Sequence, residues 1–192
     1  QHGGRHGAVD PMTIVIEPLP AAIDAPRKPT HRVQSYFQSL GEAIAAELGE
    51  GRDAVYANLE RVAAKQLALF NPSAHISQND LIDYVLGADT LCKQADLDGK
   101  FAEPPLSLYH GGDFDISALT WLDGTTSIHQ HAFCGAFHVL AGSSIHSRYR
   151  FDAWQAPEHR QRAIAGTLQL LDLEVLHAGD TRVIARGSDL IH

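Results

Sequence analysis

The residues of this chain best suited to chemistry lie in the run from Thr125 to Gly142, TTSIHQHAFCGAFHVLAG, where His129 and His131 form a His-x-His pair. On extended backbone alternate side chains share a face, so both imidazoles would point the same way. Two neutral imidazoles side by side make half of a metal site. With twelve histidines in 192 residues, one such pair arises easily by chance. The far end of the chain adds weight to it. There Gly179 to His192 reads GDTRVIARGSDLIH, in which two glycines bracket a short Val/Ile run and a histidine follows five residues after the second glycine.

Positioning such a pair requires strands, and the surrounding sequence supplies them. Phe114–Leu122 reads as a strand ending at the turn Asp123-Gly124, and Gly135–Leu140 as the strand that returns. Strand, turn, histidine strand, glycine and strand is the layout of a small β-barrel carrying ligands inside.

The spacing Gly-x(4)-His-x-His, followed by a glycine turn and a distant Gly-Asp…Gly…His, resembles the two motifs of the cupin superfamily. More narrowly, Trp121-Leu-Asp-Gly-Thr-Thr-Ser-Ile-His-Gln-His131 and Gly187-Ser-Asp-Leu-Ile-His192 resemble segments of the thiol dioxygenases, the cysteine and 3-mercaptopropionate dioxygenase group. The likeness covers about Phe114–Leu140 and Asp180–His192. It implies a mainly β fold, a cupin-type barrel (jelly roll) preceded by a helical layer. It also implies metal ligation by His129, His131 and His192, and oxidation of a small thiol by O2 to its sulfinate on Fe(II). Most cupins carry a glutamate four or five residues after the second histidine. Gly135 and Ala136 stand there instead, leaving a neutral three-histidine face with open positions. Open positions go with catalysis rather than a structural role. Imidazole suits iron, nickel, copper and zinc, so the ligands alone do not choose.

The resemblance also proposes pocket residues. In that family an arginine near a tyrosine clamps the substrate carboxylate through a bidentate pair. Here Tyr109 is followed by His110, Gly111 and Gly112, with no arginine. Either no carboxylate binds there, or Arg148 or Arg150 supplies the charge. These two lie on one face of a strand over Ser144–Phe151, where the plainer reading is a pair of solvated side chains. His110 would suit a less acidic substrate. Phe133 and Cys134 are further pocket candidates. Gly135, not Cys134, falls where animal cysteine dioxygenases carry a cross-linking cysteine, so Cys134 reads as a cavity-rim thiol, with a metal-ligating thiolate as the other reading. His138 is expected to face the outer layer, and His146 and His177 to be surface or hydrogen-bonding residues. The likeness further implies strands beyond His192, so the chain reads as a truncated or partly observed protein.

The remaining signals set the frame. A chain this long makes one domain, with or without a helical extension. A net charge of −8 argues against a nucleic-acid partner, and no apolar run is long enough for a membrane span. Two cysteines, Cys92 and Cys134, build no disulfide scaffold and fit a reducing cytoplasm. The partners expected are a small-molecule substrate and O2. Residues 1–30 read as a flexible arm or expression remnant plus a Pro-rich linker, with Thr13–Ile16 as an edge strand. Residues 31–102 read as a helical layer, with helices from about His31 to Gly49, over Ala54–Phe70, and from Ser77 onward through Cys92. Residues 103–192 read as the barrel, with a further strand over Gly166–Leu176.

Overall fold

A computed structural model describes residues 12–18, 31–49, 51–88, 91–94, 105–121, 127–131, 133–155, 163–185 and 190–191. These hold a strand β1 (Met12–Pro18) and four helices: α1 (Arg32–Leu48), α2 (Arg52–Phe70), the single turn α3 (Pro72–His75) and α4 (Gln78–Gly87). Seven strands follow: β2 (Leu106–His110), β3 (Phe114–Thr120), β4 (Gly135–Ala141), β5 (Ser143–Ala153), β6 (Gly166–His177), β7 (Thr181–Ile184) and β8 (Leu190–Ile191). All strand pairs are antiparallel, in two sheets ordered β2-β3-β1-β4-β7 and β6-β5-β8. The fold mixes helices with antiparallel sheets and is not mainly β.

The helices form where the periodicity places them. Val33, Phe37, Leu40, Ile44 and Leu48 recur every three or four residues along α1 and are buried. His31 caps its start, Nδ1 accepting from the Val33 amide at 3.2 Å. In α2 the buried stripe is Val55, Leu59, Val62, Ala63 and Leu67. It ends at Asn71, which takes the left-handed conformation (φ 49°) open to Asn at a helix C-cap. Ser77 and Asp80 close a reciprocal capping box on α4. Ser77→Ala is expected to cost about 1 kcal/mol in urea unfolding, and an unchanged midpoint would mean that the cap adds nothing here.

The helical region stops short of its expected end. α4 finishes at Gly87, and Leu91–Gln94 runs as irregular chain beside β2, so Cys92 lies outside any helix. The Gln94 side chain holds this segment there, donating to the Ser107 carbonyl at 3.1 Å and accepting from its amide at 2.9 Å. Of the apolar face expected for α4, Leu81 and Tyr84 are buried, whereas Ile82 and Val85 are exposed.

β1 corrects a second expectation. Instead of an edge strand in a loose arm, it occupies the middle of the five-stranded sheet, bonded along its length to β3 and through Ile16 to β4. A short continuous apolar run is the pattern of a strand with neighbours on both sides, and Pro18 falls at its last residue, where a missing N–H is tolerated. The helices cover one face of this sheet. Phe114, Ile116, Ala118, Ala136 and Leu140 point into the resulting core, alternating with residues that point the other way. On the opposite face Leu119 and Ile184 are buried with Trp121, Phe133 and Phe137 against them. β4 turns through Gly142 (φ 78°) into β5, so the chain passes there from the first sheet into the second.

Candidate metal centre

The two histidines of the His-x-His pair converge, though not on a strand as expected. Ser127–His131 makes only an isolated bridge at Gln130. What orients the rings is local bonding. His129 Nδ1–H donates to the Ser127 carbonyl at 2.7 Å, which makes Nε2 the unprotonated nitrogen of the neutral ring. The His131 ring packs on Phe133, centroids 4.8 Å apart and planes 32° from parallel. The two Nε2 atoms stand 2.9 Å apart, with the rings nearly perpendicular at 80°.

That separation can be tested against metal geometry. With metal–nitrogen bonds of about 2.1 Å, two ligands at a right angle lie about 3.0 Å apart and two at the tetrahedral angle about 3.4 Å. The pair therefore fits adjacent positions of an octahedral ion better than a tetrahedral one. The same distance also suits an N–H···N bond between two neutral imidazoles. Among the described residues no group of three or more His, Cys, Asp or Glu side chains gathers at one point. His192, the third ligand the resemblance implies, lies outside the described residues.

Compared with protein-family models, curated proteins and solved structures, the chain matches none.

The expected pocket residues part company at the sheet. Phe133 stays with the histidines on the face away from the helices. Cys134, the next residue, turns to the other face, where its thiol is buried and sits 3.9 Å from the Tyr56 carbonyl of α2. Tyr109 also belongs to the helix side, its ring wedged between Gly41 of α1 and Phe114. Neither joins the histidine pair: consecutive positions on a strand point to opposite faces, and Cys134 and Tyr109 take the face that the helices cover. Arg148 and Arg150 are exposed on β5 and already engaged, Arg148 with Asp172 at 2.9 Å and Arg150 with Gln169 at 2.6 Å. This is the solvated pair of the plainer reading.

His110 has both ring nitrogens committed, Nδ1 to Asp115 across the β2–β3 ladder and Nε2 to the Lys93 carbonyl. Burial pushes the Asp115 carboxyl up to about 6, against the lowering pull of His110. Asp115 was not anticipated; its register opposite His110 is the one signal that could have found it. Burial pushes the Cys92 thiol up to about 11, away from the thiolate that a nucleophile or metal ligand needs.

His138, expected to face the outer layer, is buried beneath α3. Its Nε2 accepts from the Ser73 amide at 3.3 Å and its Nδ1–H donates to Thr181 Oγ1 at 2.8 Å. Burial drops it to about 4. His146 hydrogen-bonds as expected, pairing with Glu174, which also accepts two bonds from Arg182, at 2.8 and 2.6 Å. Those Arg182 bonds hold Glu174 at about 2. The cluster ties β7 of the larger sheet to the β5–β6 hairpin of the smaller one. His177 is exposed at the following turn.

Proposed function

We propose that this chain is a non-haem iron oxygenase of cupin type, with His129, His131 and His192 as metal ligands and a small thiol as substrate. The observation that carries the reading is the approach of the two Nε2 atoms to 2.9 Å, the separation of adjacent octahedral ligands, with His129 tautomerically fixed by Ser127. Bound Fe(II) would supply the centre at which a thiol and O2 combine to a sulfinate, with both oxygen atoms of O2 passing to sulfur. The chain supplies orientation and dryness. Ser127 holds the His129 ring, and Phe133 backs the His131 ring with an apolar wall that Trp121, Phe137 and Leu119 continue. A reducing cytoplasm suits the two free thiols. No helix among the described residues is long and apolar enough to cross a membrane.

The engagement of Arg148 and Arg150 with Asp172 and Gln169 favours a substrate that needs no arginine clamp. A thiol without a carboxylate, such as cysteamine, fits better than a mercapto acid. The same observation favours, as a second reading, a cupin oxygenase or lyase whose substrate is not a thiol, or a cupin that binds a small molecule without turnover.

The deciding experiment loads the protein anaerobically with Fe(II), counts bound iron, and follows O2 uptake with cysteine, 3-mercaptopropionate and cysteamine. The expected result is one iron per chain, lost in His129→Ala and in His131→Ala, with uptake greatest for cysteamine. Iron retained in both variants would put the metal elsewhere. Iron bound but no uptake with any thiol would leave the metal centre and remove the thiol.

A further inference from the structure

The hairpin β5–β6 carries the largest concentration of exposed apolar side chains among the described residues. Directly paired residues of an antiparallel ladder share a face, and Ile145 pairs with Val175, Ser147 with Leu173, Tyr149 with Leu170 and Phe151 with Leu168. Along β6 this set would break in two, because Leu168 and Leu170 are even-numbered while Leu173 and Val175 are odd. The bulge opposite Arg148 and Tyr149 absorbs one residue and returns both halves to one face. The opposite face takes the polar residues in the same register: His146 with Glu174, Arg148 with Asp172, and Arg150 with Gln169. A one-residue irregularity thus maintains a continuous apolar surface that nothing in the described fold covers: Ile145 is 74% exposed, Leu173 60%, Val175 57%, Leu170 50% and Leu168 42%.

We infer that this face is the contact between two copies of the chain, packed sheet on sheet about a twofold axis. The five side chains leave on the order of 500 Å² of apolar surface in water, near the upper end of what a monomer exposes in one patch. It is also close to the apolar share, about 65%, of the roughly 800 Å² that each partner buries in a standard dimer. No charged residue shares this face in the register, so it is complementary to itself, as a twofold contact requires. Stacked aligned sheets pack through such alternating faces. The net charge of −8 on each copy opposes the approach, so association strengthens with salt as the long-range repulsion is screened. The inference is independent of the metal centre.

Sedimentation velocity tests it on the whole chain, from about 1 to about 200 µM, a range that brackets a micromolar dissociation constant, in low and in high salt. The expected result is a monomer–dimer equilibrium that shifts toward dimer at the higher salt. Leu173→Lys and Val175→Lys, at positions already more than half exposed, should leave the thermal midpoint of dilute protein unchanged and weaken association by about 30-fold or more. Monomer throughout, a dimer indifferent to both substitutions, or oligomers that grow without limit would each overturn the proposal. The last would show a contact that does not close on itself.

Discussion

Gly41→Ala should lower the unfolding free energy by about 2 kcal/mol, although alanine is the better helix former by about 1 kcal/mol. Gly41 lies in the middle of α1, where glycine is otherwise a defect. A Cβ there would stand 2.5 Å from three atoms of the Tyr109 ring. The ring has nowhere to go: Phe114 packs on it at 5.5 Å between centroids, and Gly111 approaches its other edge so closely that a Cβ would meet it at 3.0 Å. Overpacking of this kind costs about 1–3 kcal/mol beyond any propensity gain. Removing the ring from the other side, Tyr109→Ala, should cost about 3–5 kcal/mol through the cavity left in the core. If the two residues act on each other, the double variant will be more stable than the sum of the single losses by about 1 kcal/mol. Gly87→Ala, at the end of α4 with open space around it, is the control and should be neutral or mildly stabilising. Denaturant titration of the four variants decides the matter, and a Gly41→Ala protein as stable as the parent would remove the steric account.

The second large effect is hidden in the parent protein and emerges only in variants. His138 is about 4 in the folded chain against 6.5 in the unfolded one. Its contribution is therefore complete above the unfolded value and is lost as pH falls from 6.5 toward 4. Asp115 runs the other way. Its folded value of about 6 exceeds the unfolded 3.8, so its contribution is complete below 3.8 and is lost as pH rises through 6. Between pH 7 and pH 5 the first group loses about 2 kcal/mol and the second gains about 1, so the two largely cancel. His138→Gln should therefore make the protein more stable at pH 5 than at pH 7, by about 1 kcal/mol. Asp115→Asn should make it less stable at pH 5, by about 2. The readout is urea unfolding of each variant at both pH values. Parallel profiles for parent and variants would show that neither group titrates across folding. The second slope has burial as its cause, since Asp115 lies in the β2–β3 ladder where its charged form is desolvated and the pull of His110 only partly offsets that.

Much of the scaffold could be read from residue spacing, because burial on one face imposes a period. Helices α1 and α2 and strands β3, β4, β5 and β6 fall within a few residues of their expected bounds for that reason, whereas α4 ends short of Cys92 and the histidine pair lies on no strand. The misreadings share a different cause. Thr13–Ile16 is apolar enough for any strand, but nothing local tells an edge from a centre when its partners lie about a hundred residues away. The bulge at the middle of β6 has no signature beyond the shift of leucines from even to odd positions. Phe133 and Cys134 both looked suited to a pocket wall. Which of two adjacent residues faces the histidines depends on which side of the sheet the helices take, and α2 decides that from far along the chain. The convergence of His129 and His131 was legible as residue types. Its means, a carbonyl bond from Ser127 and a ring stacked on Phe133, was not.

The placement of β1 governs the order in which the molecule can be made. Of the described strands it is made first, yet it waits about a hundred residues for its partners, Phe114–Thr120 on one side and the strand ending at Ala141 on the other. The helices close over their own stripes long before that, through contacts near in sequence. Bringing β1 home closes a loop of about a hundred residues, which costs about 2 kcal/mol more in chain entropy than closing one of ten. The docking of β1, rather than the helical layer, is therefore the step expected to limit folding, in the slower range typical of non-local sheets. Until that step the central groove between β3 and β4 is open, with unpaired backbone on both walls. Any extended segment that reaches it first competes with the protein's own strand.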